Sequence, residues 1–292
     1  MPRSPSRIGL LVTVNLLAGC ISPLEPPAGR SPLRPPKMSC DSVVLEVFRL
    51  RVPFGDPQAN EKLWREVDEQ HVPIDVRRRL ARNGFRVGLI GGQVPIPLSR
   101  LLELKDKEAP KTDATEVKVD EIDQRPAVER AHMTLRSGLR GEIVASPEYE
   151  SMPALIKDES GGLGGQTYQR AQGVLALKAY PLPDGRVRLD LTPELHHDAP
   201  RPRYVGRQGM WRIEPGRPRR TFDDLAFSAN LAPGSMLLVS SLPNRPASLG
   251  HYFLTEDQDQ QVQKLILVRL CQTQHDAVCL PAEVLELDEQ KQ

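Results

Sequence analysis

Gly173-Val174-Leu175-Ala176-Leu177-Lys178-Ala179-Tyr180, then residues 181–185, then Arg186-Val187-Arg188-Leu189-Asp190-Leu191-Thr192-Pro193-Glu194-Leu195, is the stretch that decides the fold. Val187, Leu189 and Leu191 fall on one face of an extended chain and charges on the other, the period of a half-buried strand. Asp184-Gly185 supplies the turn that reverses the chain between two strands. Working outward, residues 222–231, 235–240, 249–254 and 263–270 carry further strand signals. Upstream, residues 134–137 and 142–145 flank the glycine-bounded segment 138–141 as a hairpin would. Residues 161–165, four glycines around Leu163, read as a flexible loop, and residues 197–220 as a long loop rich in proline and arginine. Residues 127–270 are thus expected to be mainly antiparallel β.

A different pattern precedes them. Residues 43–52 end in strict alternation and predict a strand, closed by Pro53, Gly55, Asp56 and Pro57. Leu63, Trp64 and Val67 sit at helical spacing among charges. Asp75 is placed to cap a second helix that Asn83-Gly84 stops. Residues 85–90 read as a strand broken by Gly91-Gly92, and Leu98, Leu101, Leu102 and Leu104 as a last helix. The fold class expected is therefore α+β, a small N-terminal α+β module at 41–104 followed by the mainly antiparallel β domain. Residues 105–126, charged and bounded by prolines, are the linker, and 271–292 a polar C-terminal tail.

The first twenty residues give an address. Arg3 and Arg7 precede an apolar run over residues 8–17 that closes on Leu17-Ala18-Gly19-Cys20. A basic start, a short hydrophobic segment and small residues at a cut site make an export signal, too short for the roughly 20 residues of a membrane span. The ending resembles the lipobox of bacterial lipoproteins. That resemblance implies cleavage after residue 19, lipidation of Cys20 and attachment to the cell envelope. Ile21 in place of an aspartate resembles the enteric-type signal for outer-membrane delivery. Residues 20–40 are proline-rich and predict an extended, semi-rigid tether.

Composition narrows the functions. The 292 residues carry 39 basic and 38 acidic side chains, so no global field draws the chain to nucleic acid. Aromatics make up 4 %, which argues against an aromatic carbohydrate platform. Beyond Cys20, the cysteines are Cys40, Cys271 and Cys279. In an oxidising compartment Cys271 and Cys279 form a candidate disulfide across a polar loop. With His275 between them they would make only a three-ligand metal site, and no metal or other cofactor is expected.

Several pieces of the β region resemble the β-domain of secretins, the ring-forming pores of type II and III secretion. The pieces are residues 173–181, Asp184-Gly185, residues 187–195, residues 222–231, Pro233-Gly234-Ser235, residues 236–240, Leu249-Gly250-His251-Tyr252-Phe253 and Lys264-Leu265-Ile266-Leu267-Val268. The resemblance covers about residues 170–270. It implies a secretin-like subunit, or an accessory of an oligomeric pore, as an alternative function.

Candidate chemistry is sparse. Residues 161–165 lack the Lys-Ser/Thr ending of a phosphate loop. His196 and His197 are adjacent, so on a strand they point to opposite faces and do not chelate together. No Gly-x-Ser-x-Gly frames Ser235, which argues against a hydrolase built with His251 and Asp223 or Asp224. Glu66, Glu69 and His71 read as a solvated charged face. An envelope hydrolase is a second alternative only, and no enzyme is expected. The best partner surface is Arg201, Arg203, Tyr204, Arg207, Trp211, Arg212, Arg217, Arg219 and Arg220, arginine interleaved with aromatics as interfaces prefer. The expectation is a lipid-anchored, non-catalytic envelope protein with a structural, assembly or partner-binding role, its partner an envelope protein or cell-wall polymer.

Overall fold

Alternating apolar residues in long strands build two antiparallel sheets packed face to face. A computed structural model describes residues 41–107, 127–157, 162–207, 210–257 and 261–274. All of them fall in one unit, Ser39–Gln292. The strands are β1 (Ser42–Pro53), β2 (Phe85–Ile90), β3 (Val128–Arg136), β4 (Arg140–Lys157), β5 (Leu163–Pro181), β6 (Val187–His196), β7 (Arg201–Arg207), β8 (Met210–Gly216), β9 (Arg219–Thr221), β10 (Phe227–Leu231), β11 (Met236–Ser241), β12 (Thr255–Asp257) and β13 (Gln261–Gln274). The helices are α1 (Ile74–Arg82), α2 (Ile96–Lys107) and α3 (Leu249–Leu254).

The first sheet runs β2-β11-β13-β1-β3, with β12 also on β13, and the second runs β10-β6-β5-β4, with β9 on β6. This order joins what the sequence pattern separates. Among the described residues, 41–104 close no sheet of their own: β1 lies between β13 and β3, and the one strand beside β2 is β11, its other edge making a single bridge from Leu89 to Asp68. The strands needed to bury β1 and β2 come from the other end of the chain, which local periodicity does not reveal. The β5–β6 hairpin is as expected, with Leu177 opposite Leu191 and Ala179 opposite Leu189.

Sheet one is covered on both faces. Val43, Leu45, Val47, Val87, Leu237, Val239, Ile266 and Val268 meet sheet two through Leu175, Leu177, Leu189 and Leu191. On the opposite face Leu50, Val52, Leu238, Leu265 and Leu267 are covered by α2 and by two consecutive helical turns, Gln58–Lys62 and Leu63–Arg65. That is why the central part of β13 is buried residue after residue instead of alternating. Each fully buried Leu or Val contributes about 1.5–3 kcal/mol.

Five local expectations are corrected. Residues 138–141 make no hairpin: β3 pairs with β1 and β4 with β5, so the turn at Gly138 carries the chain from one sheet to the other. Gly141 allows that crossing, since a Cβ there would lie 2.9 Å from Leu135 Cδ2. Leu163, Gly164 and Gly165 are not loop but the start of β5, opposite Lys157, Ile156 and Leu155. The arginine-rich loop is partly strand, a β7–β8 hairpin followed by β9. Residues 222–231 divide into a 3-10 turn at Asp223–Leu225 and β10. Residues 249–254 are α3, because the Ser248 hydroxyl accepts the His251 N–H at 3.3 Å and starts a helix. That helix drives Phe253 edge-on against Phe85, with ring centroids 5.4 Å apart.

Smaller differences have similar causes. Asp75 does not cap α1, whose N-cap is Pro73 with no side-chain cap. Asn83 and Gly84 do end α1, and Asn83 does more. Its amide donates to Lys157 O at 3.0 Å and accepts from Lys157 N at 2.9 Å, tying the end of α1 to the end of β4. The tail drawn from 271 begins inside β13, which runs to Gln274. Most of the predicted linker, residues 108–126, lies outside the described residues, as do Cys20, Cys40, Cys279, the tether and the signal.

Candidate functional site

Two places concentrate polar chemistry. The first is the region where β6 ends and β9 begins. Leu195 pairs with Arg220 and His196 with Arg219, while Arg201 on β7 faces Gly216 on β8. His197 N donates to Pro218 O at 2.9 Å and fixes β9 against the strand end. Arg201, Arg217 and Arg219 line a cavity of about 450 Å³. Arg217 is partly neutralised, with Glu148 Oε2 2.9 Å from its Nη1. Arg170 binds the same carboxylate, and the two guanidiniums hold Glu148 below the usual carboxylate range, Arg170 through its hydrogen bond most of all. Arg201, Arg219 and Arg220 are exposed and meet no carboxylate among the described residues. Arg220 donates instead to neutral groups, the Gln166 side chain and Tyr168 Oη (2.6 Å), and sits over the Phe222 ring at 5.4 Å. Burial raises the Tyr168 hydroxyl above its ordinary range, and Arg220 works against that rise.

Beside these arginines β5 has an edge that is free among the described residues. Between Gln172 and Lys178 it is flanked by both β4 and β6, but from Leu163 to Ala171 its only strand partner among the described residues is β4. A second cavity, about 250 Å³, follows that edge and is lined by Ile156, Gly164, Gly165, Gln166 and Arg220. Leu163, 60 % exposed, stands at its end.

The second place is a cleft of about 460 Å³ between the sheets, lined in part by Arg49, Arg51, Ser146, Gln172, Glu256 and Lys264. A bulge in β4 opens it: Val144 faces Val174 and Glu148 faces Gln172, so the intervening residues, Pro147 among them, drop out of the ladder. Ser146 Oγ replaces the lost partner by accepting Gly173 N–H at 2.7 Å. Lys264, 5 % exposed, donates to Ala145 O and to Glu256 Oε1 at 3.1 Å, and Arg51 binds the other Glu256 oxygen at 3.0 Å. Burial holds the Lys264 ammonium below the usual lysine range, with Glu256 pulling the other way.

The sequence-predicted residues distribute as follows. Arg201, Arg217 and Arg219 line one cavity, and Arg220, the next residue on β9, lines the other. Arg203, Tyr204, Arg207, Trp211 and Arg212 lie on the β7–β8 hairpin, and of their side chains only the strand register is described. Cys271 is exposed on β13 with its thiol 3.7 Å from Glu46 Oε2. Burial first and Glu46 second raise that thiol above its ordinary range. Cys279 and His275 lie outside the described residues. His196 reaches Glu194 at 3.4 Å and His197 reaches Asp198 at 3.0 Å, each with its own carboxylate. No group of three or more metal-capable side chains assembles among the described residues. Glu69 is held by Arg86 at 2.5 Å and His71 Nε2 accepts Asn230 N–H at 3.1 Å, while Glu66 is exposed. Ser235 precedes β11, His251 packs against Phe54 on α3, and Asp223 and Asp224 form the turn before β10.

Sequence reasoning passed over the buried Lys264–Glu256–Arg51 cluster. Its one signal was Lys264 at the head of the apolar run Leu265-Ile266-Leu267-Val268. It also passed over Glu46, 1 % exposed and ringed by Arg130, His132 and Arg269, because a single acid in an alternating strand looks like a solvated position. Fold and sites define a two-sheet antiparallel β protein with an arginine face beside an open strand edge. No protein-family model and no curated protein matches the chain.

Proposed function

We propose that this chain is a lipid-anchored, non-catalytic protein of the bacterial cell envelope that binds a protein partner through the arginine face at β7–β9. The observation that carries the binding role is the set Arg201, Arg219 and Arg220, exposed and without a carboxylate partner among the described residues. Charged groups so placed steer encounter and select partners of opposite sign. The anchor rests on the sequence, on Leu17-Ala18-Gly19-Cys20 and the proline-rich tether.

Two experiments test it. Cys20→Ala in the native host is expected to release the protein from membranes, and a variant that still sediments with them refutes the anchor. For the partner, in-cell cross-linking of the wild type is compared with Arg219→Glu/Arg220→Glu. Arg219 is exposed, so its replacement is expected to change stability by only about 0.5 kcal/mol, while Arg220 gives up its hydrogen bonds to Gln166 and Tyr168, at about 1–2 kcal/mol. Loss of the cross-linked species supports the reading, and an unchanged pattern refutes it. Ring-shaped particles of the purified protein in electron micrographs would refute it in favour of a secretin-like subunit.

A further inference from the structure

We propose that the free edge of β5 beside Arg220 is a docking site for an extended, acidic peptide segment of the partner, which adds to sheet two as a strand. The proposal rests on the reading of the arginine face as a partner surface and names what that partner presents.

Exposed strand edges are hazards that proteins normally blunt with lysine, proline, bulges or a covering element. Residues 163–169, Leu-Gly-Gly-Gln-Thr-Tyr-Gln, contain no charge and no proline. Gln169 O is taken by Asp198 N–H at 2.8 Å. The stretch available for a new ladder is therefore residues 163–168, about 20 Å at 3.3–3.4 Å per residue. Gly164 and Gly165 expose backbone without a Cβ, so an incoming main chain can approach closely. They are not small because the fold demands it. A Cβ at Gly165 would meet Leu155 Cδ2 only at 3.7 Å, an ordinary contact, and Gly165 does not adopt a left-handed backbone.

The cavity along this edge sets the chemistry of the guest. Half-buried Ile156 forms an apolar patch beneath Gly164, and Arg220 supplies a cation beside Gln166. Arg219 and Arg201 line a separate cavity, also without carboxylate partners among the described residues. The segment 201–220 carries seven arginines against one acid, Glu214. A strand alternating aliphatic and carboxylate side chains would place its carboxylates on the face that carries Gln166 and Arg220 and its aliphatic side chains on the other face, beside exposed Leu155 and Leu163. A second copy of this chain fits less well, because pairing edge to edge would bring two arginine faces together. Strand addition takes its affinity from main-chain hydrogen bonds and its selectivity from alternate side chains.

The test uses the full-length protein in detergent and fluorescence anisotropy of blocked heptapeptides. The probes are an alternating Glu/Val peptide, its Lys/Val counterpart, and a Glu/Val peptide N-methylated at every residue. The Glu/Val peptide is expected to bind at least tenfold more tightly than either of the other two. Arg220→Glu is expected to weaken it tenfold or more and to strengthen the Lys/Val peptide, a gain that an unfolded variant would not give. No binding of the Glu/Val peptide at about 1 mM, or equal binding of the N-methylated form, overturns the proposal. If that happens while Arg219→Glu/Arg220→Glu still loses the native partner, the strand guest is wrong and the arginine face stands. If the peptide binds as expected and the native cross-link is unaffected by those substitutions, the edge is a docking site and the partner reading fails.

Discussion

Replacing Lys264 by methionine should destabilise the protein by about 2–4 kcal/mol at neutral pH, and the deficit should grow as the pH is raised. Lys264→Met keeps the unbranched stem and removes the ammonium. Two losses follow from the geometry. Ala145 O loses its donor, and an unsatisfied buried acceptor costs about 1–3 kcal/mol. Glu256, itself 5 % exposed, loses the cation 3.1 Å from Oε1. Stripping a buried charge of its partner costs about 3–5 kcal/mol when nothing else compensates. Here Arg51 remains at 3.0 Å on the other oxygen, so the carboxylate is not abandoned and the total stays below the sum. The pH dependence comes from burial. In the folded protein the Lys264 ammonium titrates below its ordinary value of 10.5. In the window between the folded and unfolded values the unfolded chain binds more protons, so wild-type stability gains from rising pH there. Lys264→Met has no such term. Tyr168, raised by burial, acts oppositely in both proteins and cancels in the difference. Urea unfolding of both proteins at neutral pH and at pH values approaching 10.5 measures this. A neutral-pH difference under about 0.5 kcal/mol, or a gap that narrows with rising pH, refutes the electrostatic account of the cleft.

Two more outcomes are expected. Gly250→Ala should lower stability by about 3 kcal/mol, because its Cβ would fall 2.3 Å from the backbone carbonyl of Gly84 and only main chain can yield; an unchanged thermal midpoint refutes the packing of α3 on the end of α1. In protein taken from the envelope without reductant, peptide mapping should find Cys271 bridged to Cys279, and Cys271 recovered as a singly alkylated thiol refutes the bridge.

The sequence by itself determined the strands whose pattern is local. The β5–β6 hairpin, β1, β2, α1 and α2 all follow from alternation or helical spacing, because each periodicity is written within a dozen residues. The arginine cluster was legible for the same reason, as a run of one residue type. Tertiary structure decided what depends on partners far along the chain. Only the fold puts β1 between β13 and β3, and so merges two segments that look independent. It makes a helix of residues 249–254, since the Ser248 cap and the close seat of Gly250 on Gly84 involve geometry that hydrophobicity does not encode. It buries Lys264 and Glu46, whose charges find partners only across strands. It also turns a glycine run that reads as a loop into a paired strand with one side open, because pairing with residues 155–157 supplies the order the glycines lack.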